Sequence, residues 1–454
     1  MRDWLLNRPI RDFDLEVFGV DYNQLAEALK PWGKTDLVGQ SFGVIKLNTG
    51  SGIYDFSIPR SDSKVAPGHK GFEMDFDRTL TPNQASARRD FTMNSLMFDP
   101  RQGEILDFHG GRQDLKDRVL RHTSPAFVED PLRVLRGMQL ISRFELNPAP
   151  ETLELCRSIK NAFHELARER VRDEWFKWAG QSDKPSSGLR FLKATGWLEH
   201  FPQILAMATT PQDPEWHPEG DVFIHTCHCC DAMAKLPEWR ESDLESRIVY
   251  MMAALAHDFG KAITTQETSR SGRMRIISPG HEIAGCELAE SFLNEMLSPR
   301  RIMDRVLPLI ENHLFHIHST ITDRSVRRLA RRLEPETMNG LCILMTADHF
   351  ARPPKPAVIP ESIGLLRDKA RSMSLQSAAP KPLLQGRHLI ELGMTPGPVF
   401  AVILKAAFEA QLDGDFEDLA GAFHWMDRGS ALPLTPEARQ NLKSRFDQPS
   451  TSPV

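Results

Sequence analysis

Between residues 1 and 123 the chain contains several short runs in which apolar and polar residues alternate, namely RDFDLEVF, FGVIKLN, IYDFSIPR and GEILDFHG. A period of two is typical of a half-buried β-strand, and turn-forming residues separate these runs. Helix-like stretches lie between them. The pattern therefore predicts a mixed α/β head domain over residues 1–123.

From EDPLRVLRGMQLISRF onward the apolar residues recur at intervals of three and four, and the strand pattern ends. This is the period of amphipathic α-helices. Polar breaks containing Pro and Gly interrupt the helical pattern at QSDKPSSG, TTPQDPEWHPEGD and HFARPPKPAVIPES. We predict an α+β protein whose mixed head is followed only by helices: a neck over 124–210, a His- and Met-rich domain over 211–355 and a tail over 356–454.

Composition narrows the class of protein without assigning its function. The chain has 454 residues, of which 41% are hydrophobic and 26% charged, and no apolar run approaches the roughly 20 residues of a membrane helix. The start MRDWLLNRPIRD lacks the apolar region of a signal peptide. Cys227, Cys229 and Cys230 would point to different faces of one helix, which indicates buried thiols and not a metal site. We predict a cytoplasmic protein that has no membrane partner.

The first candidate site is a pair of carboxylates. If RDFDLEVF is a strand, Asp12 and Asp14 lie on one face, with Phe13 and Leu15 on the other. Adjacent carboxylates repel unless a divalent cation lies between them, and Mg²⁺ prefers such oxygen ligands in phosphoryl or nucleotidyl transfer. Asp55, in IYDFSIPR, is the candidate third catalytic acid. An isolated Asp-x-Asp is more often a solvated strand edge, so the metal-site interpretation depends on the neighbouring motifs.

Two further motifs suit nucleotide binding. ARRDFTMNSLMFD carries Arg88, Arg89, Asp90 and Asn94, residues suited to phosphate and ribose, although alone they could be a charged helix start.

In the second motif, RHTSPAFVEDPLRVLR, Pro131 suits a first helical turn and would put Asp130 and Arg133 on the same side. A carboxylate and a guanidinium together match the amino donor and ring-nitrogen acceptor of cytosine or adenine, and leave guanine and uracil unpaired. The alternative is a plain salt bridge one turn apart.

MRDWLLNRPIRDFDLEV, RRDFTMNSLMFD, RHTSPAFVEDPLRVLRGMQLISRF and RERVRDEW resemble, in this order, the motifs of bacterial class II tRNA nucleotidyltransferases, the CCA-adding enzymes, and of their poly(A) polymerase relatives. The resemblance implies a head that binds Mg²⁺ through Asp12 and Asp14, and a neck that selects CTP and ATP without a nucleic-acid template. It assigns nucleotide binding to Arg2, Asp3, Arg88, Arg89, Asp90, Asn94, Asp130, Arg133, Arg136, Glu169 and Arg170.

In that family a β-strand and a Gly-Gly pair precede the Arg-Asp of the first motif, whereas here Met1 stands before Arg2. The head is therefore expected to lack its first strand and the glycines that approach the triphosphate. This leaves open a hydrolase whose head only binds RNA.

The second candidate site lies in the helical domain, where ALAHDFGK places His257 beside Asp258. Both are metal ligands, but adjacent helical side chains diverge by about 100°, so one ion needs ligands from other helices. Four such residues lie in separate predicted helices or at their starts: His225, His281, His313 and Asp348. A lone histidine on a helix is more often a core or surface residue. The metal-site prediction therefore depends on the whole series of histidines and aspartates in this order.

That order resembles the HD phosphohydrolase superfamily. The resemblance implies a metal set of His225, His257, Asp258 and Asp348, with His281 and His313 permitting a second divalent ion, and Lys261 as a phosphate contact. It leaves the identity of the metal open. His217, His228, His316, His318 and His349 are interpreted as supporting or surface residues.

SVRRLARRLE carries a basic stripe of Arg327, Arg328, Arg331 and Arg332 at helical spacing. Such a stripe is either a solvated helix face or a phosphate contact for RNA, and the sequence favours neither.

The leading hypothesis is an enzyme that adds or repairs the 3′-terminal CCA of tRNA from CTP and ATP, fused to a phosphohydrolase that acts on phosphoesters or RNA ends. The alternatives are a poly(A) polymerase relative, a phosphohydrolase with a degenerate head, and a non-catalytic RNA-binding protein. The motifs do not fix the product, the hydrolase substrate or the oligomeric state.

Overall fold

The computed structural model describes residues 1–10, 13–36, 43–64, 72–270, 272–429 and 432–446. It is an α+β protein, as predicted. A mixed head precedes a long helical body, and helices and strands are numbered here in chain order.

A four-stranded sheet forms the centre of the head, in the order β1-β4-β3-β2. β1 and β4 are parallel, and the other two pairs are antiparallel. The elements of the head are α1 (Arg2–Leu5), β1 (Asp14–Glu16), α2 (Tyr22–Leu29), β2 (Lys34–Asp36), β3 (Val44–Asn48), β4 (Ile53–Ser57), β5 (Arg60–Lys64), β6 (Phe72–Phe76), α3 (Pro82–Ala87), β7 (Met97–Asp99), β8 (Glu104–Leu106) and α4 (Gly111–Lys116).

Alternation along β3 decides which face of the sheet is covered. Ile45 and Leu47 are buried and pack with Leu25 and Leu29 of α2, whereas Lys46 points to the other side. Because successive side chains of a strand alternate, the residues in register with Lys46 share its open face. The head therefore has one apolar face under α2 and one polar face.

The neck runs from the end of the head through a helical layer. Its elements are β9 (Val119–Leu120), α5 (Leu132–Phe144), β10 (Asn147–Pro148), α6 (Pro150–Ser158), α7 (Arg168–Gln181), α8 (Pro185–Ala194) and α9 (Pro202–Met207). Trp175 of α7 meets Phe201 and Phe292 edge to face, with ring centroids 5.1 and 5.6 Å apart. The neck is therefore packed directly on the following helices.

Those helices build the domain predicted over 211–355, and the last of them falls within the predicted tail over 356–454. They are α10 (Val222–Lys235), α11 (Pro237–Glu241), α12 (Leu244–Ala256), α13 (Lys261–Thr264), α14 (His281–Glu295), α15 (Arg300–Asn312), α16 (Phe315–His318), α17 (Asp323–Leu333), α18 (Met338–Phe350) and α19 (Glu361–Ser372). One apolar core, reaching from Phe91 to Leu375, includes both the neck and these helices.

The prediction that only helices follow the head was wrong at two places. In the neck, β10 pairs with β9. β11 (Gln266–Arg270) and β12 (Arg273–Ile277) form an antiparallel hairpin between α13 and α14. Gly272 turns the chain with φ of +76°, a conformation that favours glycine. The sequence signal was the pair Ser271-Gly272 between short runs of Thr, Ile and polar residues.

The tail forms a separate core from α20 (Gly386–Glu391), α21 (Pro398–Asp413), α22 (Leu419–Arg428) and α23 (Pro436–Phe446). In the parts of the chain that the structure describes, no helix has both the length and the apolar character needed to cross a membrane. Cys227, Cys229 and Cys230 are all buried in α10, and burial raises the pKa of Cys227 to about 12.

Candidate functional site

Asp14 and Asp55 are direct neighbours on the open face of the head sheet. They are in register on the parallel strands β1 and β4, and Asp55 is in register with Lys46 on β3. The Lys46 ammonium lies 3.8 Å from the Asp55 carboxylate, which is 40% exposed. Asp12, the first predicted catalytic acid, lies outside the described residues. The two described carboxylates offer oxygen ligands of the kind Mg²⁺ prefers.

A chain of hydrogen bonds links the start of the protein to the neck. Arg2 Nη1 donates to Asn94 Oδ1 at 2.7 Å, and Asn94 Nδ2 donates to Asp90 Oδ1 at 3.0 Å. The second oxygen of Asp90 accepts from Arg136 Nε at 2.7 Å. Three separate predicted nucleotide-binding motifs are thereby joined.

Other residues of these motifs make different contacts. Arg89 donates to Glu16 Oε2 at 3.0 Å, and Arg88 donates to Glu129 at 2.6 Å. Asp3 accepts from Arg2 Nε at 2.8 Å. Glu16 was missed by the sequence analysis, although it follows Asp14 by two residues and so shares its face of the strand.

The predicted base-reading pair is engaged with other partners. Asp130 is extended and lies just before α5; its carbonyl oxygen accepts from the Arg133 N–H at 3.0 Å. The Asp130 carboxylate pairs with Arg170 at 2.7 Å, whereas Arg133 donates to the carbonyl oxygens of Ala126 and Arg88. The alternative of a simple ion pair between Asp130 and Arg133 is therefore not the arrangement seen. Glu169 is exposed in the first turn of α7.

Six predicted metal ligands converge in the helical domain. His225 comes from the first turn of α10, His257 and Asp258 from the turn after α12, and His281 from the start of α14. Two more complete the set: His313 follows α15, and Asp348 lies in α18. All six are buried.

Asp258 lies between two groups of donor atoms. His225, His257 and Asp258 have ligand atoms within 4.8 Å of one another, and so have Asp258, His281 and His313. His281 Nε2 is 3.2 Å from Asp258 Oδ1, and His257 Nε2 is 3.3 Å from Asp258 Oδ2. Asp348 lies 3.0 Å from His225. Asp258 is thus common to two groups of candidate metal ligands.

The donor atoms fit a cation. Nδ1 of His257, His281 and His313 lies 2.6 to 2.9 Å from a backbone carbonyl oxygen and donates to it, so in the neutral form of each ring Nε2 carries the lone pair. Nε2 atoms of His281 and His313 are 3.3 Å apart, where two lone pairs repel unless a positive charge lies between them. Nε2 of His257 is buried without a hydrogen bond, and Oδ2 of Asp258 has the Lys261 ammonium and the His257 ring as its nearest polar neighbours among the described contacts.

Two basic side chains border the cluster. Lys261 Nζ lies 2.8 Å from Asp258 Oδ2 and donates to Gln212, and Arg352 lies 3.3 Å from Asp348. Burial opposes ionisation of Asp258, but His257 and Lys261 outweigh it and hold its pKa well below the usual value. The pKa of Asp348 is lowered in the same way against burial, chiefly by Arg352 and His225. Both carboxylates are therefore available as anionic ligands.

The remaining histidines differ in their surroundings. His217 donates to Glu219 and lies against His225, with ring centroids 4.7 Å apart. His316 is buried, and His228 and His349 are half-buried. The side chain of His318 is outside the described set. Sequence reasoning missed Glu219 and Arg352, and the signals were an acid six residues before His225 and a base one helical turn after Asp348.

A cavity of about 390 Å³ opens beside the cluster. Its lining includes His217, Lys261, His281 and the side chain of Trp216, which is 57% exposed. Lys355 donates to the carbonyl oxygens of Glu215 and Trp216 and lies 5.4 Å from the indole ring. The Trp216 indole and Lys261 therefore line the same cavity.

The basic stripe is largely occupied by contacts within the chain. Arg328 pairs with Asp413 at 2.6 Å and with Glu409 at 3.1 Å, and Arg327 donates to the carbonyl oxygen of Leu412. Arg331 pairs with Glu334, and Arg332 lies over Phe315. These contacts favour a structural role for the stripe.

Two family models match the chain: the poly A polymerase head domain at residues 1–121 and the HD domain at residues 223–352. A curated relative, the multifunctional CCA protein of Xanthomonas campestris pv. campestris (strain B100), is 33% identical over 390 residues, covering 83% of this chain and 90% of its own.

Solved structures share the fold. The Bacillus stearothermophilus CCA-adding enzyme in complex with CTP is 18% identical with a TM-score of 0.60, covering 98% of this chain and 92% of that one. The Thermotoga maritima CCA-adding enzyme complexed with tRNA is 17% identical with a TM-score of 0.55, covering 98% and 89%.

Proposed function

The chain belongs to the multifunctional CCA protein family, and we propose that it adds or repairs the 3′-terminal CCA of tRNA from CTP and ATP, with a phosphohydrolase in its helical domain. The two reactions are assigned to separate sites: a pair of carboxylates in the head, and a cluster of histidines and aspartates among the helices. The substrates of the transfer reaction are cytoplasmic, and we assign the protein to that compartment.

The observation that carries the transferase is the register of Asp14 with Asp55 on the open face of the sheet. In the proposed reaction the 3′-hydroxyl of tRNA attacks the α-phosphate of CTP or ATP, the new phosphodiester bond forms, and pyrophosphate leaves. Asp14 and Asp55, with Asp12, would hold Mg²⁺, which supplies charge neutralisation for the triphosphate. Arg2 and Arg89 of the predicted motifs are the proposed phosphate contacts, and Arg89 is held to β1 by its bond to Glu16.

Base selection is proposed for Asp130 and Arg133. Both hold fixed positions through their bonds to Arg170, Ala126 and Arg88. A cytosine or adenine can give its amino group to the carboxylate and accept from the guanidinium, whereas guanine or uracil would leave these groups unpaired at a cost of about 1–3 kcal/mol.

The phosphohydrolase rests on the six buried ligands and on His257 Nε2, which is buried without a hydrogen bond. His225, His257, Asp258, His281, His313 and Asp348 would hold one or two divalent cations. Such a cation supplies Lewis-acid activation of water and of the phosphate. Lys261 and the aromatic wall of the cavity would position the phosphoester.

The transferase assignment is tested with tRNA that lacks CCA and labelled CTP and ATP. Incorporation should fall at least about 10²-fold in Asp14→Ala and Asp12→Ala, and should persist in Asp258→Ala, which serves as the control variant. A product that ends after C-C-A supports CCA addition, whereas a run of adenosines would identify a poly(A) polymerase. Incorporation that survives in Asp14→Ala would contradict the assigned site.

The phosphohydrolase is tested with a nucleoside phosphoester and each of several divalent ions. Phosphate release should disappear in Asp258→Ala and persist in Asp14→Ala. Phosphate release without incorporation by the unaltered chain would instead favour a hydrolase with an RNA-binding head.

A further inference from the structure

Glu219 lies in the loop between α9 and α10 and is an acid with a buried side chain. Its side chain has no exposed surface, yet neither lysine nor arginine pairs with it among the described contacts. One oxygen, Oε1, lies 2.7 Å from His225 Nδ1 and 2.9 Å from His217 Nδ1. A buried carboxylate is costly unless its charge is satisfied, so two imidazole donors on one oxygen indicate a specific role.

The four clustered histidines are oriented in two different ways. His257, His281 and His313 each direct Nδ1 at the carbonyl oxygen three residues earlier: Ala254, Ser278 and Ile310. His225, in the first turn of α10, does not follow this pattern. Its Nδ1 is directed at Glu219 instead. His225 is thus the one histidine of the four whose partner is a side chain.

We infer that Glu219 is a positioning residue for the metal centre, because it fixes the ring of His225 so that Nε2 faces the cation. His225 Nε2 is 3.0 Å from Asp348 and 3.7 Å from Asp258, so the ring orientation set by Glu219 is the one that ligation needs. A carboxylate on the second nitrogen also raises the basicity of an imidazole ligand, and such partners typically contribute 10–100-fold to metal affinity. The inference rests on the proposed metal centre.

Glu219 is not itself assigned as a ligand, although it lies close to His217 and His225. Both histidines approach Oε1 at hydrogen-bond distance through Nδ1, and a nitrogen that donates its proton has no lone pair for a metal. In the metal-free chain His225 can also hold a proton on Nε2 toward Asp348; a bound cation would displace that proton and leave the bond to Glu219 in place.

The test is a titration of the full metal-free chain with Co²⁺. Binding is measured by calorimetry and by visible absorbance. Glu219→Ala should weaken Co²⁺ binding about 10–100-fold. Glu219→Gln keeps an acceptor oxygen but loses the charge, so its affinity should fall between that of the unaltered chain and that of the alanine variant. This order of Co²⁺ affinities distinguishes a loss of His225 orientation from a general loss of folding.

Glu336→Gln is the matched control. Glu336 is also a buried acid of the helical domain, and it pairs with Arg305 at 2.7 Å, away from the cluster. It should lose stability while its Co²⁺ affinity stays within about twofold. If Glu219→Ala and Glu219→Gln fold and bind Co²⁺ as the unaltered chain does, the inference on Glu219 is overturned alone. If the unaltered chain takes up no Co²⁺, the metal centre and this inference fall together.

Discussion

Gly260 sets how closely two parts of the metal cluster approach each other. A Cβ at this position would lie 2.1 Å from the carbonyl oxygen of His281 and 2.6 Å from the N–H nitrogen of Gly285. Both contacts are with backbone, which cannot rotate away. Gly260→Ala should therefore lower the free energy of unfolding by about 1–3 kcal/mol and weaken Co²⁺ binding, measured by urea unfolding and by titration.

Gly364 of α19 provides the control for that substitution. A Cβ there would meet nothing within 4 Å. Gly364→Ala should leave Co²⁺ affinity unchanged and should raise stability by up to about 1 kcal/mol, since alanine is the better helix former. If Gly260→Ala and Gly364→Ala have the same unfolding free energy and the same Co²⁺ affinity, the close approach at Gly260 contributes to neither.

Asp90 should make stability depend on pH in the acid range. Burial opposes its ionisation, but Arg136 and the hydrogen bonds from Asn94 and the Phe91 N–H outweigh burial and lower its pKa below 3.8. A depressed carboxylate pKa stabilises the folded state above the unfolded value of about 3.9, and this contribution is lost as the pH falls through the folded value.

Asp90→Asn is the variant that isolates this effect. The free energy of unfolding of this variant should be about 1–3 kcal/mol lower at pH 7, because Arg136 keeps its charge without its partner. The difference from the unaltered chain should shrink as the pH is lowered below about 4, measured by urea unfolding across the acid range. A difference that stays constant or grows toward acid pH would contradict the lowered pKa.

At the scale of whole elements, α17 is joined to α21 by ion pairs from its arginines. Arg324 and Arg328 both bind Asp413. A phosphate-binding arginine would contribute about one unit to the slope of log affinity against log salt. Arg328 is already paired with Asp413 and Glu409. Arg328→Ala should therefore leave the salt dependence of tRNA affinity unchanged. It should lower the free energy of unfolding by about 0.5–1 kcal/mol.

Arg371→Ala removes the same charge from an exposed position and is the control. Arg371 is 74% exposed and has only a 3.7 Å contact with Asp368. A salt slope that falls by one unit in Arg328→Ala but not in Arg371→Ala would restore the phosphate-contact hypothesis for the stripe.

Local periodicity predicted the mixed head, the helical body and four of the strands. β3 and β4 match the alternating runs FGVIKLN and IYDFSIPR, and the histidine and aspartate ligands of the helical domain lie in or next to separate helices as predicted. The hairpin β11–β12 was missed because GRMRIIS gives too short a signal beside strong helical patterns. Glu219 was missed because its contact with His225 depends on how the loop before α10 folds back, which spacing does not reveal.

At the scale of the whole molecule the described residues form three apolar cores. One lies under the head sheet around Ile45, one extends from Phe91 to Leu375, and one lies in the tail from Leu384 to Leu442. The predicted border at residues 210 and 211 falls within the second core. Polar, Pro-rich breaks mark where the chain leaves a helix, but they do not show whether the helices on either side share a core.

This distribution predicts where the chain tolerates division. A chain that ends at residue 380 keeps the second core complete and should unfold cooperatively and bind Co²⁺ within about twofold of the full chain. Separation at residues 210 and 211 would expose Trp175 and Phe201, which pack on Phe292. Each large aromatic side chain taken out of its core costs about 3–5 kcal/mol, so neither half should remain soluble and folded alone.

Solubility and thermal unfolding of the three fragments check the prediction, with the full chain as reference. Two soluble halves that each unfold cooperatively would mean that the contacts around Phe292 join two domains that are stable by themselves. Loss of cooperative unfolding on removal of residues 381–454 would mean that the pairs between α17 and α21 hold the large core together. Only a stable shortened chain with two unstable halves agrees with a neck and metal-binding domain that fold as one unit.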